Sequence, residues 1–379
     1  MPTLSDARLN KGEWAELYVF LQLLGTGRLY AADEHLKRKP DSYLEVLKII
    51  HEEIVGMITE YDRTGNDGFI RIVSKGKVLA SISTSDFVSN ANILFASLTK
   101  SKGRAIPAPE SVCEFADIIH IKKPKSPSLK SSGNFGGKAD IVIQFFDGRN
   151  SMVSTMGFSI KSQFAQPPTL FNAGSSSQLM YSLVGMTDEL MDEFNNIRDD
   201  KGNRGWFRCI EYLKDHDIKP VFVGTKSPAM DMNLLYIRES MADILAWIYA
   251  ERFLRNPNTT GIQDLCNEMK VQNPLNFRNT GLYEKSIKDF LFATFSGMTA
   301  SKPWNGTEQV NGGYIVVLTN GEVLCYHAND REIFRDYLFR NTFVEYVSCK
   351  KFNWGYVGKV GIDYVLPVNA SIRFKKHIS

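Results

Sequence analysis

Residues Lys138–Phe164 read KADIVIQFFDGRNSMVSTMGFSIKSQF. Apolar residues flank Asp147-Gly148, a dipeptide that suits a tight turn between antiparallel strands. The stretch predicts a hairpin, with Asp140 opening the first strand and Lys161 near the end of the second. Side chains two apart on a strand share a face, so Ser159, Lys161 and Gln163 form one polar row. If the Asp147-Gly148 region turns the hairpin, Asp140 can lie opposite that polar row. An acid and a lysine on neighbouring strands suit metal-assisted phosphodiester hydrolysis. The carboxylate holds a hard divalent cation such as Mg²⁺, which polarises the phosphate and lowers the pKa of a bound water. The lysine orients that water and steadies charge building on the phosphorane oxygens. Ordinary hairpins also place an acid and a lysine this way, so the pair gains weight only from its surroundings.

The rest of the composition narrows the classes. A chain of 379 residues holds one large domain or two ordinary ones. A formal charge of +3 permits a nucleic-acid partner without requiring one. No apolar run reaches the roughly eighteen residues of a membrane span. MPTLSDARLNKGE lacks the apolar stretch of a secretory signal. The five cysteines are scattered and form no CxxC pair, which argues against disulfides or a zinc site and for a reducing, cytoplasmic setting. The six histidines are isolated, and neither GxGxxG after a strand nor GxxxxGK[ST] occurs. Histidine-metal hydrolysis and nucleotide-driven chemistry therefore have no visible anchor.

Outward from the hairpin, Asn10 with Glu13 matches a capping box, and Leu17, Phe20, Leu21 and Leu24 follow at helical spacing until Gly25 and Gly27. Leu44, Leu47, Ile50, Ile54 and Ile58 predict a second helix over Ser42–Tyr61. FIRIV and VLASI predict a hairpin around Lys75-Gly76-Lys77. Ser175–Ser177 is read as the cap of a helix carrying Leu179, Leu183, Met186, Leu190 and Phe194. A strand over Lys219–Thr225, a long apolar helix around Leu234–Phe253, an Asn-Gly hairpin in GGYIVVLTNGEVLCYHA and a last strand in VLPVNASIRFK complete the pattern. This order divides the chain into a core over residues 1–225 and a C-terminal α+β region over residues 226–379.

LNKGEWAELYVFLQLL, GFSIKSQF with PPTLFNA, GGYIVV with GEVLCYH, and NASIRFK together make the chain resemble the HpaII family of type II restriction endonucleases from its first helix to its last strand. The resemblance implies an α/β PD-(D/E)xK core, a mixed central sheet flanked by helices. It also implies Mg²⁺-dependent cleavage of double-stranded DNA at a short site, CCGG in the prototype, with Mn²⁺ as a substitute ion. A protecting DNA methyltransferase, a homodimer on DNA and a bacterial or archaeal cytoplasm are the further expectations. Residue by residue, Asp140 matches the first acid of the motif and Lys161 its lysine, with Gln163 extending the catalytic row. Ser159 stands where the motif usually has Glu or Asp. Either Glu16 of the first helix supplies the missing carboxylate, or Asp140 holds the metal with the Ile160 carbonyl and water. Glu13 already has a capping role.

Phosphate contacts are expected from Lys122, Lys123, Lys125 and Lys130, with Lys100, Lys102 and Arg104 beside them. A solvated surface loop is the plainer reading of that lysine run. Arg331, Arg335, Arg340, Asn341, Lys350 and Lys351 are candidates for groove readout, or else an ordinary charged surface. Two rivals stand beside restriction: a nicking or structure-specific nuclease of the same fold, and a DNA-binding protein on a degenerate nuclease scaffold.

Overall fold

The computed structural model describes residues 9–54, 56–65, 67–101, 103, 105–122, 139–164, 169–255, 258–307, 311–327, 330–346, 349, 352 and 354–375. Contacts group the chain into two compact units. One comprises Met1–Pro168, Glu308–Tyr337 and Lys376–Ser379, and the other Thr169–Thr307 with Leu338–Lys375. The units are interleaved along the chain, so they do not coincide with a single cut after Thr225.

In the first unit, helix α1 spans Lys11–Thr26. The Glu13 N–H donates to Asn10 Oδ1 at 3.0 Å and the Asn10 N–H to Glu13 Oε2 at 2.9 Å, which completes the expected capping box. Gly27 ends the helix in the left-handed region, φ 73°, where a side chain would be strained. Trp14, Leu17, Phe20, Leu21 and Leu24 are buried, so α1 is a core helix.

Apart from a two-residue pair, Leu9–Asn10 with Ala105–Ile106, the described strands of this unit are β1 (Arg28–Ala32), β2 (Arg38–Ile54), β3 (Met57–Asp62), β4 (Phe69–Ser74), β5 (Lys77–Ser83), β6 (Ile141–Asp147), β7 (Met152–Ser162), β8 (Gly313–Val317) and β9 (Val323–His327). They form one mixed nine-stranded sheet in the order β1-β9-β8-β7-β6-β2-β3-β4-β5. β8 pairs parallel with β7 and β9 parallel with β1, while β1 also pairs with β2. That extra pairing closes six strands into a ring. α1, α2 (Thr84–Lys100) and α3 (Glu110–Ile118) bury one face against Ile49, Ile143, Phe158, Ile160 and Ile315. On the other face, Tyr314 and Tyr326 pack against Phe334 and Tyr337 of helix α4 (Arg331–Arg340), with ring centroids 5.2 and 4.7 Å apart. Both hairpins around Lys75-Gly76 and Asn320-Gly321 form as expected.

The helix expected over Ser42–Tyr61 is instead β2 and β3. Leu44 and Val46 alternate inward as strand residues do, and then the register with β6 shifts between Val46 and Lys48. This bulge returns Ile49 to the buried face, while Leu47 and Ile50, which follow Leu44 at helical spacing, are only half-buried and Ile58 is exposed.

The second unit carries a four-stranded sheet, ordered Lys219–Thr225, Gln178–Val184, Asp363–Asn369, Gly358–Val360, and a three-stranded sheet of Thr169–Phe171, Ile372–Phe374 and Thr342–Val344. The helix expected after Ser177 is a strand over Gln178–Val184, with Leu179, Tyr181 and Leu183 buried in alternation. A helix begins only at Asp188, capped by the Thr187 hydroxyl. The long helix around Leu234–Phe253 is broken at Arg238, which is extended (φ −170°, ψ 145°), into Pro228–Ile237 and Met241–Ala250 with a π-helical turn at Glu251–Arg255. The closing segment forms two strands, turning at Ala370-Ser371 to reach both sheets. Among the described residues, no helix is long and apolar enough to cross a membrane, and all five cysteines are free and buried.

Candidate active site

β6 and β7 pair antiparallel from Asp147↔Met152 to Ile141↔Phe158. Just before β6 the regular register ends: the Asp140 N–H donates at 2.8 Å to the carbonyl of Phe158, the residue already paired with Ile141, as at a bulge. The Asp140 side chain reaches across to Ser159 on β7. Its Oδ2 accepts from the Ser159 hydroxyl at 3.0 Å and from the Ile160 N–H at 2.8 Å. Oδ1 has no protein hydrogen bond among the described residues.

The other edge of β7 pairs with β8, Ser159↔Tyr314, Ile160↔Ile315 and Lys161↔Val316. Ile160 and Ile315 point toward α1, so Ser159 and Lys161 share the opposite face. The N–H and C=O of one strand residue address the same neighbour. Since the Ile160 N–H reaches Asp140, the Ile160 carbonyl faces the Asp140 edge, beyond the point where β6 begins. Lys161 is half-buried and forms no ion pair within the described residues. Gln163 lies just past the end of β7, where its N–H donates to the Val317 carbonyl at 2.9 Å. Gly312 lets β8 close on this strand: a Cβ there would lie 2.8 Å from the Gly157 carbonyl oxygen. Tyr314, buried beside Ser159, has its hydroxyl pushed well above its ordinary pKa by burial, with the Asp140 charge adding to the effect.

Glu16 arrives from α1. Together with Leu17, Phe20, Ile49, Ile50, His51, Ile121, Ile141 and Asp140 it lines a single small pocket. The sequence offered Glu16 as one of two ways to replace the acid missing at Ser159, and the fold brings it to the same cavity as Asp140. Glu13 is occupied in the capping box.

Two residues went unnoticed in the sequence because their segment reads as helix. His51 is buried in the pocket wall, its ring 6.4 Å from that of Phe20. Glu52 is also buried, and continuing the register Ile49↔Ile143 and Ile50↔Val142 puts it level with Asp140. Its Oε1 accepts from the Gly56 N–H at 2.5 Å. The signal that could have revealed them is the density of β-branched residues in KIIHEEI.

Among the expected phosphate contacts, Lys122 is exposed and follows Ile121 of the pocket wall. Lys123, Lys125 and Lys130 lie outside the described residues, as do Lys102, Arg104, Lys350 and Lys351. Among the described residues, no group of three or more His, Cys, Asp or Glu side chains stands ready to hold a metal ion. The Asp140 and Glu16 carboxylates line one pocket, and the Ile160 carbonyl faces the Asp140 edge of β7. This all-oxygen set fits a hard divalent cation.

Residues 10–374 match the family model for the HpaII restriction endonuclease. The chain belongs to the HpaII restriction endonuclease family. It is 30% identical over 368 residues to the type II restriction enzyme HpaII of Haemophilus parainfluenzae, which covers 96% of this chain and 98% of that protein. No solved structure matches it. Family membership extends over both compact units, and Asp140, Lys161 and Glu16 all belong to the first.

Proposed function

We propose that this protein is a type II restriction endonuclease that hydrolyses phosphodiester bonds of double-stranded DNA at a short specific site, on a core of the PD-(D/E)xK kind. The observation that carries the chemistry is Asp140: its carboxylate is pinned against Ser159 and Ile160 of β7, the strand that carries Lys161, and lines the same pocket as Glu16. Asp140, Glu16 and the Ile160 carbonyl would hold Mg²⁺, or Mn²⁺ in its place. A divalent cation so bound polarises the scissile phosphate and acidifies an attacking water. Lys161 orients that water and stabilises negative charge developing on the non-bridging oxygens in a setting partly shielded from solvent. Gln163 continues the polar row and adds a neutral donor at its end.

Lys122, Lys123, Lys125 and Lys130 supply sequence-independent phosphate contacts in this reading. Groove readout falls to the Arg- and Asn-bearing stretch around Arg331–Asn341, within residues 226–379. A homodimer on DNA and a cognate methyltransferase that protects the host site follow from the restriction role. The test is digestion of unmethylated plasmid with Mg²⁺, followed by sequencing of the fragment ends. Discrete fragments with one common end sequence are expected. A smear would replace restriction by unspecific cleavage, and an uncut plasmid with a gel shift would reduce the protein to a DNA binder.

A further inference from the structure

The residue at the motif's second acidic position deserves its own role. Ser159 is buried, on the catalytic strand, and its hydroxyl lies 3.0 Å from Asp140 Oδ2. An ionised carboxylate only accepts hydrogen bonds, so the serine hydroxyl is the donor. The Ile160 N–H donates to the same oxygen at 2.8 Å. Two donors from adjacent residues of one strand fix the carboxylate plane and direct Oδ1 away from the strand edge. Without the hydroxyl, one hydrogen bond would remain and the side chain could rotate about it.

The surroundings explain why a serine works here and a carboxylate would not. Tyr314 sits beside Ser159 in register and is itself buried in the aromatic cluster with Phe334. A glutamate at 159 would have to displace that ring or place a second negative charge against Asp140, in a site shielded from water. Both outcomes are costly.

We propose that Ser159 is a positioning residue, which aims Asp140 Oδ1 at the bound divalent cation instead of replacing the absent acid as a ligand. This inference rests on the reading of Asp140 as the metal-holding carboxylate. On it, the departure from the usual motif is a change of role at that position, and the carboxylates come from Asp140 and Glu16.

The test is Mn²⁺ binding to the full-length protein, followed by electron paramagnetic resonance of the free ion, with melting curves as a control for folding. Ser159→Ala should weaken Mn²⁺ about tenfold, the effect of losing one hydrogen bond to a charged group. Ser159→Thr, which keeps the hydroxyl, should retain most of the affinity, while the similarly shaped Ser159→Val should lose it. The Thr and Val pair decides the matter should the alanine variant fold poorly. In a double-mutant cycle, Ser159→Ala should add nothing to Asp140→Ala, because the hydroxyl acts only through that carboxylate. Wild-type affinity in both Ser159→Ala and Ser159→Val, or a further tenfold loss in the double variant, overturns the inference and leaves the role of Asp140 intact. Wild-type affinity in Asp140→Ala overturns the functional reading itself. Tighter Mn²⁺ binding by Ser159→Glu would show that the position is a ligand site after all.

Discussion

Replacing Asp140 by asparagine separates the chemistry of the site from its architecture. The amide keeps the shape of the carboxylate, and its oxygen can still accept from the Ile160 N–H and the Ser159 hydroxyl, now 2.8 and 3.0 Å from Oδ2. Only the charge disappears. A hydrogen bond to a charged group contributes about 1.5–3 kcal/mol and a neutral one about 0.5–1.5 kcal/mol. Two such bonds therefore weaken by about 2 kcal/mol in total. Removing a half-buried charge offsets part of this, because the charged form resists desolvation. The net change in stability should stay near 1 kcal/mol, a shift of about 2–4 °C in melting temperature for a unit of this size. Cleavage should suffer far more. Loss of the charge that holds the cation is expected to slow the reaction by at least about a thousandfold, or roughly 4 kcal/mol of barrier. The assay is single-turnover cleavage of plasmid at saturating protein, beside a thermal melt of the same preparation. A variant that melts normally and cuts within about tenfold of the wild-type rate would refute the assignment of Asp140.

Glu16→Gln is expected to cut poorly at limiting Mg²⁺ and to recover part of its activity when Mg²⁺ or Mn²⁺ is raised; full activity at limiting Mg²⁺ would remove Glu16 from the mechanism. At the other end of β6, Arg149 makes paired contacts with the buried Asp147 carboxylate at 3.0 Å and a further ion pair with Asp330 at 3.0 Å. Arg149→Met leaves Asp147 buried and unpaired, and should cost about 3 kcal/mol at neutral pH. The hydrogen bonds from Arg149 hold Asp147 below the usual carboxylate range. The pair therefore stabilises fully above the unfolded carboxylate pKa of about 3.9 and loses its effect as pH falls below it. The gap between wild type and Arg149→Met in denaturant melts should narrow as pH falls through about 4, and a gap independent of pH would show that the pair is not its source.

Local features were legible because neighbouring residues encode them. Asn10 and Glu13 cap α1 through groups three residues apart, and the connections over residues 148–151 and around Asn320-Gly321 build hairpins from adjacent strands. The facing of Asp140 and Ser159 was not legible from the turn dipeptide alone: a two-residue turn at Asp147-Gly148 would set Asp140 across from Thr155, and the four-residue connection over residues 148–151 shifts it to Ser159. The segment Ser42–Tyr61 was not legible, since its apolar residues at helical spacing are spread over differently buried positions of β2 and β3. Pairing with β1, β3 and β6 makes it a strand, and β6 lies about a hundred residues further on. The same limit applied to the break at Arg238 and the strand at Gln178–Val184, where packing against distant chain outweighs local propensity. Tertiary structure alone decided that β8 lies parallel to β7, placing Tyr314 beside Ser159. Parallel neighbours need a long crossover, and here the chain between them runs through most of the second unit. It also decided which glutamate of α1 shares a pocket with Asp140. The sequence puts Glu13 and Glu16 one turn apart, but the pocket between α1 and the sheet admits Glu16, because the cap holds Glu13 at the helix start.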